Sequence, residues 1–135
     1  MKRLVLLAFV CLLVLPAPAV AGGPDMEPGL WEITTESRMQ GMNIPASTMT
    51  QCLTEDDMVP RNTQPGQDCE ITDLTTSGDT VRWTMRCGGQ GEEVESTGQI
   101  RYHGTSFEGN ITTTIGSTGM TVESTLTGKR LGDCN

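Results

Sequence analysis

Hydrophobic and polar residues alternate with a period of two through the C-terminal half of the chain. Val81, Trp83 and Met85 share one side of a predicted strand, and Arg82 and Arg86 share the other. This period is typical of a β-strand with one drier and one wetter face. The alternation recurs along the chain and predicts four consecutive strands, at 81–87, 94–102, 107–115 and 120–126.

Glycine-containing segments separate these strands and indicate tight turns, since glycine tolerates the positive φ that such turns require. Short links between alternating strands imply a meander in which sequence neighbours pair antiparallel. Upstream, the pattern predicts further strands at 30–39, 48–53 and 70–76, with a connection at 41–45 between the first two. We therefore expect an all-β fold: an antiparallel meander of about seven strands, curved into a half-barrel or a small barrel.

One short helix is predicted near 55–59. Thr54 can cap it, the acidic residues at 55–57 suit the positive end of the helix dipole, and Pro60 marks its end. We interpret this acidic group, and the one at 92–95, as capping and solvent-facing residues, because neither has the spacing of a calcium-binding loop. No metal site and no cofactor is predicted.

The N-terminus has the pattern of a secretion signal. Lys2 and Arg3 precede an apolar run at 4–15, and Ala19 and Ala21 form a small-residue cleavage pattern. We expect cleavage near Ala21 and a periplasmic or secreted product without a membrane span, because no later stretch is apolar enough. The predicted order is a signal peptide, a flexible tether that buries little and a single β domain, at 1–21, 22–28 and 29–135.

Charge and histidine content argue against two classes of function. The chain carries 9 Lys and Arg against 17 Asp and Glu, a formal net charge of −8. Such a surface repels phosphate backbones, so no nucleic acid partner is expected. No catalytic residue is expected either, because the single histidine, His103, lies in a predicted hairpin turn and no Gly-x-Ser-x-Gly motif supplies a nucleophile.

The cysteines indicate two disulfides. Cys11 lies in the predicted signal, which leaves an even number in an exported chain: Cys52, Cys69, Cys87 and Cys134. Cys69 and Cys87 are equally distant from Gly78, so a hairpin centred there sets them opposite each other, within bridging distance. That pairing leaves Cys52 with Cys134. The rival pairing of Cys52 with Cys69, which would staple the loop between them, stays open from the sequence alone.

The drier face of the predicted sheet supplies the candidate binding residues. Large side chains on it alternate with small ones such as Gly98 and Gly109. Small inward residues either let a strongly curved sheet close on itself or leave a cavity for an apolar guest. We favour curvature and keep the cavity as the alternative. The residues expected to face a ligand are Trp31, Ile33, Trp83, Met85, Gly98, Ile100, Tyr102, Phe107, Gly109 and Ile111.

Three methionines lie close together in the sequence, at Met39, Met42 and Met49. Grouped thioethers can bind Cu(I). Because no histidine or cysteine strengthens the group, we interpret these residues as filling gaps in the core.

Several short pieces of the chain together form a wider pattern. They are Pro28-Gly29-Leu30-Trp31-Glu32, Cys52-Leu53-Thr54, Cys69, Trp83 followed by Cys87, Gly98, Phe107 and Gly132-Asp133-Cys134. In this order they resemble the bacterial envelope family catalogued as domain of unknown function 3617. The resemblance implies an exported, periplasmic protein of a Gram-negative bacterium and brings no catalytic or binding residue to carry over.

Two functions fit these expectations. The first is a non-catalytic binding domain whose concave face takes an apolar small molecule or a partner segment. The alternative is a structural or protein-interaction component of the cell envelope that holds an envelope protein partner through an exposed strand edge.

Overall fold

The computed structural model describes residues 23–60, 66–89 and 91–135, and the predicted signal peptide lies outside them. Its seven strands are β1 (Gly29–Met39), β2 (Met42–Leu53), β3 (Asp68–Ser77), β4 (Thr80–Gly88), β5 (Val94–Tyr102), β6 (Ser106–Ile115) and β7 (Met120–Gly132). All pair antiparallel in one sheet, in the order β2-β1-β7-β6-β5-β4-β3. The predicted all-β fold of about seven antiparallel strands is confirmed, with sequence neighbours paired throughout except β2 and β3, since β1 pairs with β7 instead.

The sheet is open and curled. Its edge strands, β2 and β3, each pair with a single neighbour, and within the described residues no pairing joins them. Side chains from β2 and β5 nevertheless line one cleft. In a flat sheet these strands would lie about 19 Å apart, since neighbouring strands are spaced by about 4.8 Å. The sheet therefore curves as a half-barrel and does not close.

Strand alternation gives the sheet two different faces. We call the side that carries Trp31, Trp83, Ile100, Phe107 and Leu126 the inner face, and the opposite side the outer face. All five of these side chains are buried. They form one core cluster with Val81, Met85 and Tyr102 of the sheet and with Met26, Leu53 and Val59.

The hairpin between β1 and β2 is tighter than the sequence pattern predicted. Its loop has two residues, Gln40 and Gly41, whose φ values of 49° and 80° suit a type I′ turn. The predicted connection at 41–45 is wrong, because β2 already begins at Met42 and runs through Pro45. An edge strand accepts proline, since the missing N–H removes no ladder bond when it faces away from the sheet, and the register shifts opposite it.

The disulfide between Cys69 and Cys87 joins opposed residues of β3 and β4, with Cα atoms 4.0 Å apart. The predicted pairing of Cys69 with Cys87 is confirmed, although the loop between β3 and β4 is not centred on Gly78 as the sequence argument assumed. Ser77 pairs with Thr80 across a two-residue loop, which by itself would set Cys69 opposite residue 88. A register shift at Thr72 restores the pairing with Cys87.

The second disulfide joins Cys52, near the end of β2, to Cys134, just after β7. Their Cα atoms are 5.8 Å apart, and their separation in sequence is 82 residues. The rival pairing of Cys52 with Cys69 is thereby excluded. This bridge reaches past β1, which lies between β2 and β7 in the sheet.

The connection from β2 to β3 joins opposite edges of the sheet, and its first residues lie over the inner face. Its first part, Thr54–Pro60, we call the crossing segment. It contains a 3-10 helix at Glu55–Asp57, shorter than the helix predicted near 55–59. The Asp57 carboxylate accepts hydrogen bonds from the N–H and Oγ1 of Thr54, both at 2.9 Å. Val59 follows and is buried in the core.

Residues 23–28 pack against the turn between β5 and β6. Met26 forms a parallel bridge with Gly104 and is 6% exposed. The N–H of Glu27 donates to the carbonyl of Gly104 at 3.0 Å, and the N–H of Gly104 donates to the carbonyl of Asp25 at 2.7 Å. In this respect the structure differs from the tether expected at 22–28, because Met26 gives the segment an apolar anchor.

Glycines on the inner face lie beneath large side chains of neighbouring strands. A Cβ built on Gly98 would overlap the ring of Trp83, and one on Gly109 would lie 2.6 Å from Cγ1 of Ile100. A Cβ on Gly128 would overlap the ring of Phe107, its partner across β6 and β7. The space above Gly98 and Gly109 is therefore filled, as the curvature interpretation requires.

We expect Gly128→Ala to lower the free energy of unfolding by about 1 to 3 kcal/mol, because the added methyl group forces the Phe107 ring to move. The control is Gly132→Ala on the same strand, where a Cβ meets no heavy atom within 4 Å. Urea denaturation followed by tryptophan fluorescence measures both variants. Equal midpoints for the two would contradict the packing of Phe107 over Gly128.

Candidate functional site

The inner face is almost free of charge. By the register of the seven strands, all their charged residues except Arg130 fall on the outer face. Arg130 lies near the end of β7, where its guanidinium donates to the carbonyl of Pro28 and to the carboxylate of Asp133. In a chain with 17 acidic residues, this distribution leaves a continuous uncharged surface on one side of the sheet.

The packed core occupies only part of this face. Trp31, Ile100 and Tyr102 are 0%, 1% and 1% exposed. Further along the same face, towards the β1–β2 and β6–β7 turns, the apolar side chains become partly exposed: Ile33, Met39, Ile111, Ile115, Met120 and Val122. The apolar surface therefore extends beyond the part that the core fills.

A cleft of about 130 Å³ lies where β1, β2, β5, β6 and β7 face the crossing segment. We call it the Tyr102 cleft. Its apolar walls are Ile33, Met49, Leu53, Val59, Ile100, Phe107 and Leu126, and its polar groups are Thr35, Gln51, Asp57 and Tyr102. The crossing segment thus forms one wall of a cleft whose other walls are the sheet.

The Tyr102 hydroxyl is fixed at this cleft. It donates a hydrogen bond of 2.7 Å to the carbonyl of Met58, which ties β5 to the crossing segment. Burial raises the pKa of Tyr102 well above its usual value, and the negative charge of Asp57 adds to the effect. The phenol therefore stays protonated and remains a hydrogen-bond donor at neutral pH.

A second cleft, of about 220 Å³, lies over β4, β5 and β6. We call it the Trp83 cleft. It is lined by Trp83, Met85, Cys87, Val94, Ser96, Ile111 and Thr113, and by Pro60 and Gln67 of the connection. Pro60 lines both clefts, so the crossing segment lies between them.

Hydroxyl groups on the inner face satisfy one another. Ser96 and Thr113 approach within 2.9 Å across β5 and β6, and Ser37 and Ser124 within 2.8 Å across β1 and β7. Each pair is partly buried. A hydroxyl that already has a partner does not need water, so these pairs leave the face effectively apolar.

All ten residues that the sequence predicted to face a ligand lie on the inner face, but they divide by role. Trp31 lines neither cleft because it is fully buried, and Gly98 and Gly109 line neither because the side chains of Trp83 and Ile100 lie over them. Four line the Tyr102 cleft, namely Ile33, Ile100, Tyr102 and Phe107, and three line the Trp83 cleft, namely Trp83, Met85 and Ile111. Whether a ligand contacts them stays a prediction.

Sequence reasoning missed two kinds of cleft residue. Met49 and Leu126 share the inner-face parity of their strands and could have been found by continuing the alternation. Val59 and Pro60 carry no such signal, because a non-repeating segment does not show which surface it will cover. Met42 and Met49 are 63% and 56% exposed, so the interpretation of these methionines as core filling is wrong.

Other polar features of the described residues form no compact site. His103 lies at the β5–β6 turn, where its Nε2 is 3.7 Å from Oε1 of Glu108, and both side chains are well exposed. Among the residues that the structure describes, no group of three or more His, Cys, Asp or Glu side chains is placed to hold a metal ion. Larger depressions, of about 500 and 470 Å³, lie beside the Cys69–Cys87 bridge and on the outer face around Arg82 and Arg101.

Comparison with known proteins places the chain in a family. The model of the family described as Protein of unknown function (DUF3617) matches residues 26–134, and the chain belongs to this family. No curated protein and no solved structure matches the chain. Within residues 23–60, 66–89 and 91–135, no helix is long and apolar enough to cross a membrane.

Tyr102→Phe should lower the free energy of unfolding at neutral pH by about 1 to 3 kcal/mol, because it leaves the Met58 carbonyl without its donor. In the native protein, the raised pKa of Tyr102 contributes stability that is complete below the unfolded value of about 10 and is lost as the pH rises above it. The stability difference between wild type and Tyr102→Phe should therefore shrink at high pH.

Urea midpoints measured at neutral and alkaline pH test this expectation. The chain has a single tyrosine, so the ultraviolet absorbance of tyrosinate reports the ionisation of this residue alone. Ionisation of the folded protein at the pH of free tyrosine would contradict the burial of the Tyr102 hydroxyl.

Proposed function

We propose that this protein is a non-catalytic binding domain, exported to the periplasm, whose inner face holds a narrow apolar group. The observation that carries the proposal is the uncharged inner face, which continues past the packed core as two clefts and a row of partly exposed apolar side chains. Apolar surface left open to water in this way favours association with an apolar guest.

The size of the clefts limits the guest. About 130 and 220 Å³ are less than the roughly 300 to 1,000 Å³ of typical small-molecule sites. Each cleft therefore holds one small apolar group, such as the end of an unbranched acyl chain or an apolar side chain from a partner segment.

The polar groups at the clefts favour a binding role over a catalytic one. Acid–base catalysis needs a group that exchanges protons near the working pH. The Tyr102 phenol is held protonated, and its proton is already donated to the Met58 carbonyl. The Asp57 carboxylate already accepts two hydrogen bonds from Thr54.

Two disulfides support export, because such bridges form and persist in oxidising compartments outside the cytosol. A different observation, the open edge of β2, supports the alternative function, a structural or interaction component of the cell envelope.

Thr35→Phe should abolish or weaken apolar binding by at least about tenfold, a loss of about 1.4 kcal/mol. Thr35 lines the Tyr102 cleft, and a phenyl ring placed there fills it. The matched control is Thr34→Phe, one residue away on the outer face, where Thr34 contacts Thr48 across the hairpin. Binding is measured by titrating each folded variant with cis-parinaric acid, a fluorescent straight-chain fatty acid.

Mass spectrometry of organic extracts from the wild-type protein, purified after export, complements the titration. A co-purified acyl compound that Thr35→Phe loses and Thr34→Phe keeps supports the proposal. Equal affinities of the two variants, or no saturable binding by the wild type together with an empty extract, contradict it.

A further inference from the structure

The edge strand β2 has no charged residue and is open on one side. No Asp, Glu, Lys, Arg or His occurs from Gln40 to Thr54. Among residues 23–60, 66–89 and 91–135 the strand pairs with β1 only, and every residue from Gly41 to Cys52 is exposed. Antiparallel pairing with one neighbour uses the backbone groups of alternate residues, so the others keep N–H and C=O groups directed to the open edge.

The two edges of the sheet differ in how well they are protected against pairing. Charged side chains and bulges are the usual protection. The opposite edge strand, β3, has Asp68, Glu70 and Asp73 and a register shift. On β2 the protection is Pro45 and the register shift near it, which leaves Ser47–Cys52 as an unprotected stretch of typical strand length.

The inner side of β2 is also apolar and uncovered. Met42, Ile44 and Met49 are 63%, 41% and 56% exposed. By register they lie on the inner face, opposite Met39, Ser37 and Ile33 of β1. The uncharged inner face therefore continues to the open edge of the sheet, and among the described residues the crossing segment faces β2 only at the Tyr102 cleft, which Met49 also lines.

We propose that β2 pairs with β2 of a second copy of this chain, antiparallel and about a two-fold axis perpendicular to the sheet, so that two seven-stranded sheets become one. In this arrangement both inner faces lie on the same side, and opposed residues must share a face. Pro45 confines the pairing to the stretch after it. Registers about Met49 and about Thr50 centre this stretch equally, and we choose the one that sets Met49 opposite Met49, with Ser47 opposite Gln51, because it brings apolar side chains together on the inner side.

Charge permits a second copy to pair at this edge, and symmetry favours it. The whole chain has a net charge of −8, so two copies repel each other most weakly where a neutral strand meets a neutral strand. The pair is self-complementary about the axis, because the two Met49 side chains meet each other on the inner side and Ser47 of each copy meets Gln51 of the other. Because β3 offers a charged and irregular edge, the assembly closes at two copies and does not extend into a filament.

Sedimentation equilibrium of the exported, processed protein over a range of concentrations tests the pairing. We expect a monomer–dimer equilibrium, and Met49→Lys should weaken the dimer at least about tenfold because it sets two ammonium groups opposite each other at the axis. The control is Thr114→Lys, on the outer face of the central strand β6. Circular dichroism verifies that both variants are folded.

A cysteine at the axis tests the register. Opposed antiparallel residues have Cα atoms about 4.5 to 5.5 Å apart, within the range of a disulfide. Met49→Cys should therefore give a covalent dimer under mild oxidation, with residue 49 linked to residue 49 in peptide mapping, and Thr114→Cys should not. A wild-type protein that is monomeric at all concentrations, a dimer that Met49→Lys leaves intact, or equal cross-linking of the two cysteine variants overturns the proposal.

Discussion

A single curled sheet has no second layer to pack against, so the chain has to cover the inner face with its own connections. The topology forces this arrangement, because β2 and β3 follow each other in sequence but lie at opposite edges. The crossing segment supplies Val59 to the core and the Met58 carbonyl to the Tyr102 hydroxyl, and Met26 covers another part. Since these covering residues are few, the sheet curls and its large side chains pack over its glycines. The two clefts lie where neither the covering residues nor these side chains fill the inner face.

The strands that sequence predicted best are those whose two faces differ most. In β4 to β7, the face that carries the large apolar residues is more buried than the face that carries most of the charged residues, so a single pattern fixes both the element and its orientation. The pairing of Cys69 with Cys87 followed from counting residues about Gly78. The count succeeded because the register shift at Thr72 compensates for a two-residue loop. The local sequence pattern does not predict this shift.

The rest of the site depends on contacts between distant parts of the chain. The strand β2 is exposed on both faces along most of its length, so it shows no alternation, and Pro45 suggested a loop. The choice between curvature and a cavity at Gly98 required knowing that the Trp83 ring lies over it. Val59 and Pro60 became cleft residues through the route of the connection, which depends on strand order and not on local sequence.

The bridge between Cys52 and Cys134 joins β2 to the chain end beyond β7 and reaches past the intervening β1. Mechanically, a pull on the C-terminus is transmitted through sulfur to β2 as well as through the peptide backbone to β7. The load is then shared by strands on both sides of β1, and the hydrogen bonds of β7 are not opened one at a time from the end. The C-terminus is thus a point at which this domain can bear tension.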